Sequence, residues 1–239
     1  YKMDYNDDAP KKGFTIGKLF KWLFAIIALS IFLLLVFRSC ALEGMRDTAK
    51  TRKLLWNDVS LAAYKASPDN FSVARNTDES IMTPDGTITI SGIRWIRNIG
   101  QLQLTIRYNN SLARTIRDTF SLDAEPQGEF LTFALRDDIG NLYTTFEYIT
   151  DSAFIYNYRR LVFDGINLDG CAELKLEIYY TGYVDYDSTA APLNTVLIYQ
   201  SSQEFKDYTI KSDELPGGGV TPNLEKSRKW VKKEISESN

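Results

Sequence analysis

The hydrophobic pattern changes character along the chain, and each change marks an element. From Trp22 to Phe37 no charged residue occurs. Leu19, Phe20 and the stems of Lys18 and Lys21 extend this run to about 20 residues, which at about 1.5 Å each cross a hydrocarbon core of about 30 Å. Trp22 and Arg38 stand at its two ends, where membrane-anchoring side chains are expected. The pattern predicts a transmembrane helix over residues 19–37, behind a short tail of residues 1–18. Residues 41–66 hold no proline, and Leu55, Val59 and Ala62 or Ala63 recur at helical spacing beside Trp56 and Tyr64. A juxtamembrane helix is expected there, packed on its own domain and stopped by Ser67-Pro68-Asp69-Asn70.

From Thr83 the period falls to two. "TPDGTITISGIRWI" opens on a Pro-Asp-Gly turn and then alternates Ile88, Ile90 and, after a one-residue shift near Gly92, Trp95. "QLQLTIRYNN" sets Leu102, Leu104, Ile106 and Tyr108 on one face and Gln101, Gln103, Thr105 and Arg107 on the other, a half-buried antiparallel strand. Further strands are expected over residues 115–122, 129–136, 142–149, 159–166, 173–181 and 196–200, with a hairpin turn in "RDDIGNLY" and an irregular one in "DGINLDG". About eight short strands with regular turns predict a mainly β protein: an antiparallel β-sandwich of immunoglobulin-like architecture over residues 80–212. Residues 213–239 read as a flexible linker and a basic amphipathic tail, its thin stripe made by Leu224, Val231 and Ile235. Such a tail is either a solvated helix or one lying on an anionic surface.

The chain of 239 residues has a formal charge of −3. Within residues 81–211, 17 acidic side chains face 11 basic ones, which argues against a nucleic-acid partner. Histidine is absent, removing His-based triads and the commonest transition-metal ligand. The two cysteines, Cys40 and Cys171, lie far apart in the pattern and do not make a disulfide scaffold. A lipoprotein signal ends in Leu-small-small-Cys, whereas here Phe37, Arg38 and Ser39 precede Cys40. The charged Arg38 breaks that signal, and the apolar run exceeds a cleavable core of about 7–15 residues. The segment reads as an uncleaved signal anchor, with thioacylation of Cys40 left open. Basic residues nearly balance across the span, so a cytoplasmic N-terminus is expected mainly because the strand-rich part has the character of an extracytoplasmic module.

The succession "TITISGIRWI", "QLQLTIRYNNS", "FLTFALRDDIGNLYT" and "RLVFDGINLDGCAELKLEIYY" resembles the immunoglobulin-like domains of unknown function in bacterial membrane-anchored and lipid-anchored proteins. The resemblance implies an extracytoplasmic sandwich and carries over no catalytic residue.

Candidate chemistry is sparse. In "FDGINLDGCAELKLE", Asp164, Asn167 and Asp169 are hard oxygen donors, but the EF-hand spacing fails, leaving at most a calcium site of another kind. Asp137 with Asp138, and Asp185 with Asp187, are paired acids in turns, solvated in the ordinary case and hydrolytic only across a cleft. "YYTGYVDYDST" concentrates tyrosines, of which Tyr183 and Tyr186, with Asp185 and Asp187, are the candidate binding patch. Cys171, at a strand start, reads as a buried small apolar residue. No cofactor is implied.

These readings converge on a single-pass cell-membrane protein that displays an extracytoplasmic binding or structural module. Its expected partners are the lipid bilayer and a protein or envelope polymer, with the oligomeric state open. The alternatives are an accessory subunit of a larger membrane complex and, further off, a carboxylate-based envelope hydrolase.

Overall fold

The computed structural model describes residues 16–44, 53–76, 80–153, 155–168, 170–181, 191–203, 205–216 and 223–227. The chain divides into two compact units, Tyr1–Gly44 and Met45–Asn239.

The first unit contains one helix, α1 (Ile16–Gly44). Its stretch Gly17–Phe37 is long and apolar enough to cross a membrane, and none of it is buried within the protein. The exposure is extreme for water-facing side chains, with Phe24 at 76% and Phe37 at 74%. The one hydroxyl in its middle, Ser30, donates back to the Ile26 carbonyl at 2.8 Å, so that hydroxyl is not left bare in an apolar surround.

The second unit is built from two antiparallel sheets. In chain order its elements are α2 (Asp58–Ala66), β1 (Val73–Asn76), β2 (Ser80–Met82), β3 (Ile88–Ile96), β4 (Gln101–Asn109) and α3 (Leu112–Thr119). Then follow β5 (Leu131–Asp137), β6 (Leu142–Tyr143), β7 (Glu147–Ala153), β8 (Tyr156–Phe163), β9 (Glu173–Tyr180), β10 (Asn194–Gln200), β11 (Phe205–Tyr208) and β12 (Glu225–Lys226). The larger, eight-stranded sheet runs β11-β1-β3-β4-β8-β7-β12, with β2 also paired to β3; the smaller runs β10-β9-β5-β6.

One apolar core joins the two sheets. Ile90, Leu104, Ile106, Leu161 and Phe163 of the larger sheet pack with Phe133, Leu135, Leu174, Leu176 and Ile178 of the smaller. The parity of β3 is reset by a bulge: its pairing with β4 shifts between Ser91 and Arg94, at Gly92, whose φ of +62° suits a residue without a side chain. Ile88 and Ile90 point to the core before the bulge; Ile93 and Trp95 do so after it, which turns Arg94 and Ile96 outward. The shift expected near Gly92 is therefore present.

Several expectations need correction. Residues 115–122 do not form a strand. Leu112, Ala113 and Ile116 are buried together on α3, a one-sided pattern with period 3.6, while Arg114, Thr115 and Asp118 face outward. The strand expected over residues 142–149 is two strands, β6 and β7, in different sheets. Among the described residues the helix expected over residues 41–66 is not continuous. It consists of the end of α1 and of α2, and residues 54–57 between them are extended and buried. The domain also begins before residue 80 and runs past residue 212, because β1 and β11 extend the larger sheet and β12 adds to β7. Residues 1–15 and 228–239 lie outside the described residues.

Candidate functional site

The outward face of the larger sheet carries a connected polar network. The alternation of β4 predicts Gln101, Gln103 and Thr105 in water, yet they are 0%, 2% and 5% exposed. The cover is the chain that leads in from the N-terminal side. The carbonyl oxygen of Gln103's side chain accepts from the Leu55 amide at 2.9 Å, and its amide donates to the Leu55 carbonyl at 2.7 Å. A side-chain amide thus replaces a neighbouring strand, satisfying both backbone groups of a buried residue. The same Gln103 amide donates to the Gln101 side-chain carbonyl at 2.8 Å. Gln101 in turn donates to Asn57 at 2.9 Å and to Asp164 at 2.7 Å, and Asn57 donates to Asp164 at 2.8 Å.

Asn57 has a second duty as the N-cap of α2. Its Oδ1 accepts from the Ser60 amide at 3.0 Å, while the Ser60 hydroxyl accepts from the Asn57 amide at 3.0 Å. Apolar packing completes the attachment: Leu54 and Trp56 join Phe71, Val73 and Ile96 in a second small core. Trp56 stacks on Phe71 and meets Tyr64 edge-on, each with centroids 5.2 Å apart.

The C-terminal side of the domain reaches the same place. Glu214, 5% exposed, accepts from the Leu54 amide at 3.0 Å, and its backbone carbonyl accepts from the Trp56 indole at 2.6 Å. The Tyr208 hydroxyl donates to the Glu214 carboxylate. Burial, then that bond, pushes the Tyr208 phenol up to about 12. Arg94 lies 3.6 Å from Glu214 as a buried ion pair and sits over the Tyr208 ring, 4.7 Å from its centroid.

Beside this network opens a cleft of about 330 Å³. Lys53, Arg75, Arg94 and Lys211 line it against only two carboxylates, Asp213 and Glu214. The cations are placed by register: Arg75 of β1 stands directly between Arg94 of β3 and Lys206 of β11. Lys53 is spent on Asp213, at 2.5 Å, and Arg94 on Glu214. No salt bridge joins Arg75, Lys206 or Lys211 to a carboxylate among the described residues.

The residues singled out in the sequence lie elsewhere. Tyr183, Tyr186, Asp185, Asp187 and Asp169 fall outside the described residues. Asp164 belongs to the polar network, where amides of Asn57 and Gln101 occupy both its oxygens. Among the described residues no three His, Cys, Asp or Glu side chains gather as a metal site, and Asn167 lies in the loop after β8. Asp137 is buried and takes the Asn141 amide and side chain, both at 2.7 Å, while Asp138 receives the Ala172 and Glu173 amides. Asp137 thus closes the β5–β6 turn on itself, and Asp138 ties that turn to the start of β9. Cys171 is buried, as expected, and its thiol donates to the Glu173 carbonyl at 3.0 Å. Trp22 is exposed near the start of α1; the Arg38 and Cys40 side chains fall outside the described residues.

The cleft has only a faint signature in the sequence. "FSVARN" alternates Phe71, Val73 and Arg75, but a strand of four residues next to a polar stretch gives little periodicity to read. No family model, curated protein or solved structure matches the chain.

Proposed function

We propose that this is a single-pass membrane protein in which α1 anchors an immunoglobulin-like domain outside the cytoplasm, as a binding or structural module of the cell envelope. The observation that carries the reading is the complete exposure of the apolar stretch Gly17–Phe37. A patch of that size in water is far larger than a soluble monomer tolerates, and a bilayer of about 30 Å removes the cost.

Strand order supports the immunoglobulin-like part. From β3 to β10, the eight strands divide as first-second-sixth-fifth in one sheet and fourth-third-seventh-eighth in the other. That matches the A-B-E-D and C′-C-F-G order of immunoglobulin-like sandwiches, with β1, β2, β11 and β12 as additions. The resemblance seen in the sequence points the same way. The buried attachment of residues 54–57 suits display, because this entry segment is part of the domain's own structure.

Alkaline carbonate extraction of membranes from producing cells tests the reading. The protein is expected in the membrane pellet and released only by detergent. Recovery in the carbonate supernatant overturns it.

A further inference from the structure

We propose that the cleft lined by Arg75, Arg94, Tyr208 and Lys211 is a binding site for a phosphate-class oxyanion; this rests on reading the domain as a displayed binding module and names the chemistry of its ligand.

Cross-strand register carries the argument. Lys206, Arg75 and Arg94 occupy directly paired positions on three adjacent strands, β11, β1 and β3. Like charges directly opposite one another on a sheet destabilise it, so an anion placed beside such a row is stabilising. Among the described residues one carboxylate pairs with the row, Glu214, and it is already committed to Arg94, to Tyr208 and to the Leu54 amide. The other acid of the cleft, Asp213, is held by Lys53. Arg75 and Lys211 therefore line the opening with no salt bridge to a carboxylate among the described residues, and Lys206 stands next in the row, exposed.

This concentration is not a background effect. Acidic residues outnumber basic ones across residues 81–211, so the cleft is a local reversal of sign. Arg94 is held in place by its ion pair and by the Tyr208 ring, which leaves a pre-set floor beneath the opening. Donors enter from β1 and from residue 211 above the Arg94 floor of β3, a spread that suits the tetrahedral oxygens of phosphate better than a planar carboxylate. A volume of about 330 Å³ admits a phosphate together with part of its ester substituent. Lipid headgroups and soluble phosphate esters share this chemistry.

The test uses the full chain in phosphatidylcholine nanodiscs, titrated with inorganic phosphate by calorimetry and by the arginine side-chain NMR signals. Saturable binding is expected, with Arg75→Gln and Lys211→Gln each weakening it at least about tenfold, the loss of one charged hydrogen bond. Arg114→Gln, on the exposed face of α3, leaves it unchanged. Near-ultraviolet circular dichroism shows that each variant keeps its fold, and Lys211→Gln stands in if Arg75→Gln does not. Phosphatidylglycerol nanodiscs separate the sources. Shifted Arg75 signals before any phosphate is added identify a headgroup, and shifts only on addition identify a soluble anion. No saturable binding in either lipid, or equal binding by Arg75→Gln, Lys211→Gln and wild type, overturns the inference. A protein that fails this test yet stays in the carbonate pellet keeps its reading as an anchored module; one released by carbonate loses that reading whatever it binds.

Discussion

Replacing Gln103 by methionine tests the attachment of residues 54–57 with little change of volume. In the native protein the Gln103 side chain is the partner of both backbone groups of Leu55, at 2.9 and 2.7 Å, and of the Gln101 side-chain carbonyl, at 2.8 Å. Leu55 is 2% exposed, so water does not take over when the amide is removed. Each buried group left without a partner costs about 1–3 kcal/mol. Two such groups on Leu55 give a loss of about 2–6 kcal/mol, with relaxation of residues 54–57 setting the lower end. At about 2–4 °C per kcal/mol for a domain of this size, the melting temperature falls by roughly 4–24 °C. Thermal unfolding of the full chain in detergent, followed by near-ultraviolet circular dichroism, measures the loss. Hydrogen exchange locates it: the Leu55 amide, protected in the wild type, exchanges in Gln103→Met before the core strands β4 and β9. A change below about 1 kcal/mol with Leu55 still protected refutes the argument, because the amide pair would then contribute nothing beyond what water supplies.

A chain beginning at Met45 is expected to unfold cooperatively, whereas one beginning at residue 67 is not, since it bares Phe71, Val73 and Ile96 and strips Gln101, Gln103 and Glu214 of partners; equal denaturant midpoints for the two would contradict this. Partial burial raises the Asp85 carboxyl, but hydrogen bonds from Thr83, Asn194 and Thr87 outweigh it and hold the group at about 2 against an ordinary 3.8. The native state then binds fewer protons than the unfolded chain between those values, so this share of stability is present above pH 3.8 and is lost as pH falls toward about 2. Asp85→Asn flattens that acid limb in urea midpoints taken against pH; identical slopes in variant and wild type argue against it. Burial, with Asp138 beside it, pushes the Cys171 thiol up to about 11, so in a Cys40→Ser background alkylation detected by mass spectrometry occurs only once denaturant unfolds the domain. Stoichiometric labelling of the native protein is the contrary result.

The pattern-based expectations succeed where one physical constraint dominates. Residues 22–37 lie within one apolar helix long enough to cross a membrane, and the alternation of Leu102, Leu104, Ile106 and Tyr108 places the inner face of β4 correctly. Residues 115–122 mislead because Leu112, Ile116 and Phe120 repeat at four, a signal that emerges only when the window starts before Thr115. The outer face of β4 misleads for a different reason. Glutamines are ordinary solvent-facing residues, and only tertiary contact shows that Gln101 and Gln103 bind a segment more than 40 positions away in sequence. The cationic cleft is hidden for the same reason: Arg75, Arg94 and Lys206 become neighbours through strand register, not through spacing along the chain.

Protease accessibility in intact cells, with an epitope at each end of the chain, tests the central claim of an anchored, outward-facing module most directly. The account predicts that external protease removes the C-terminal epitope and degrades the domain while the N-terminal epitope, carried on α1, survives until the membrane is permeabilised. Loss of the N-terminal epitope with the C-terminal one protected, or protection of both in cells whose other surface proteins are cleaved, contradicts it.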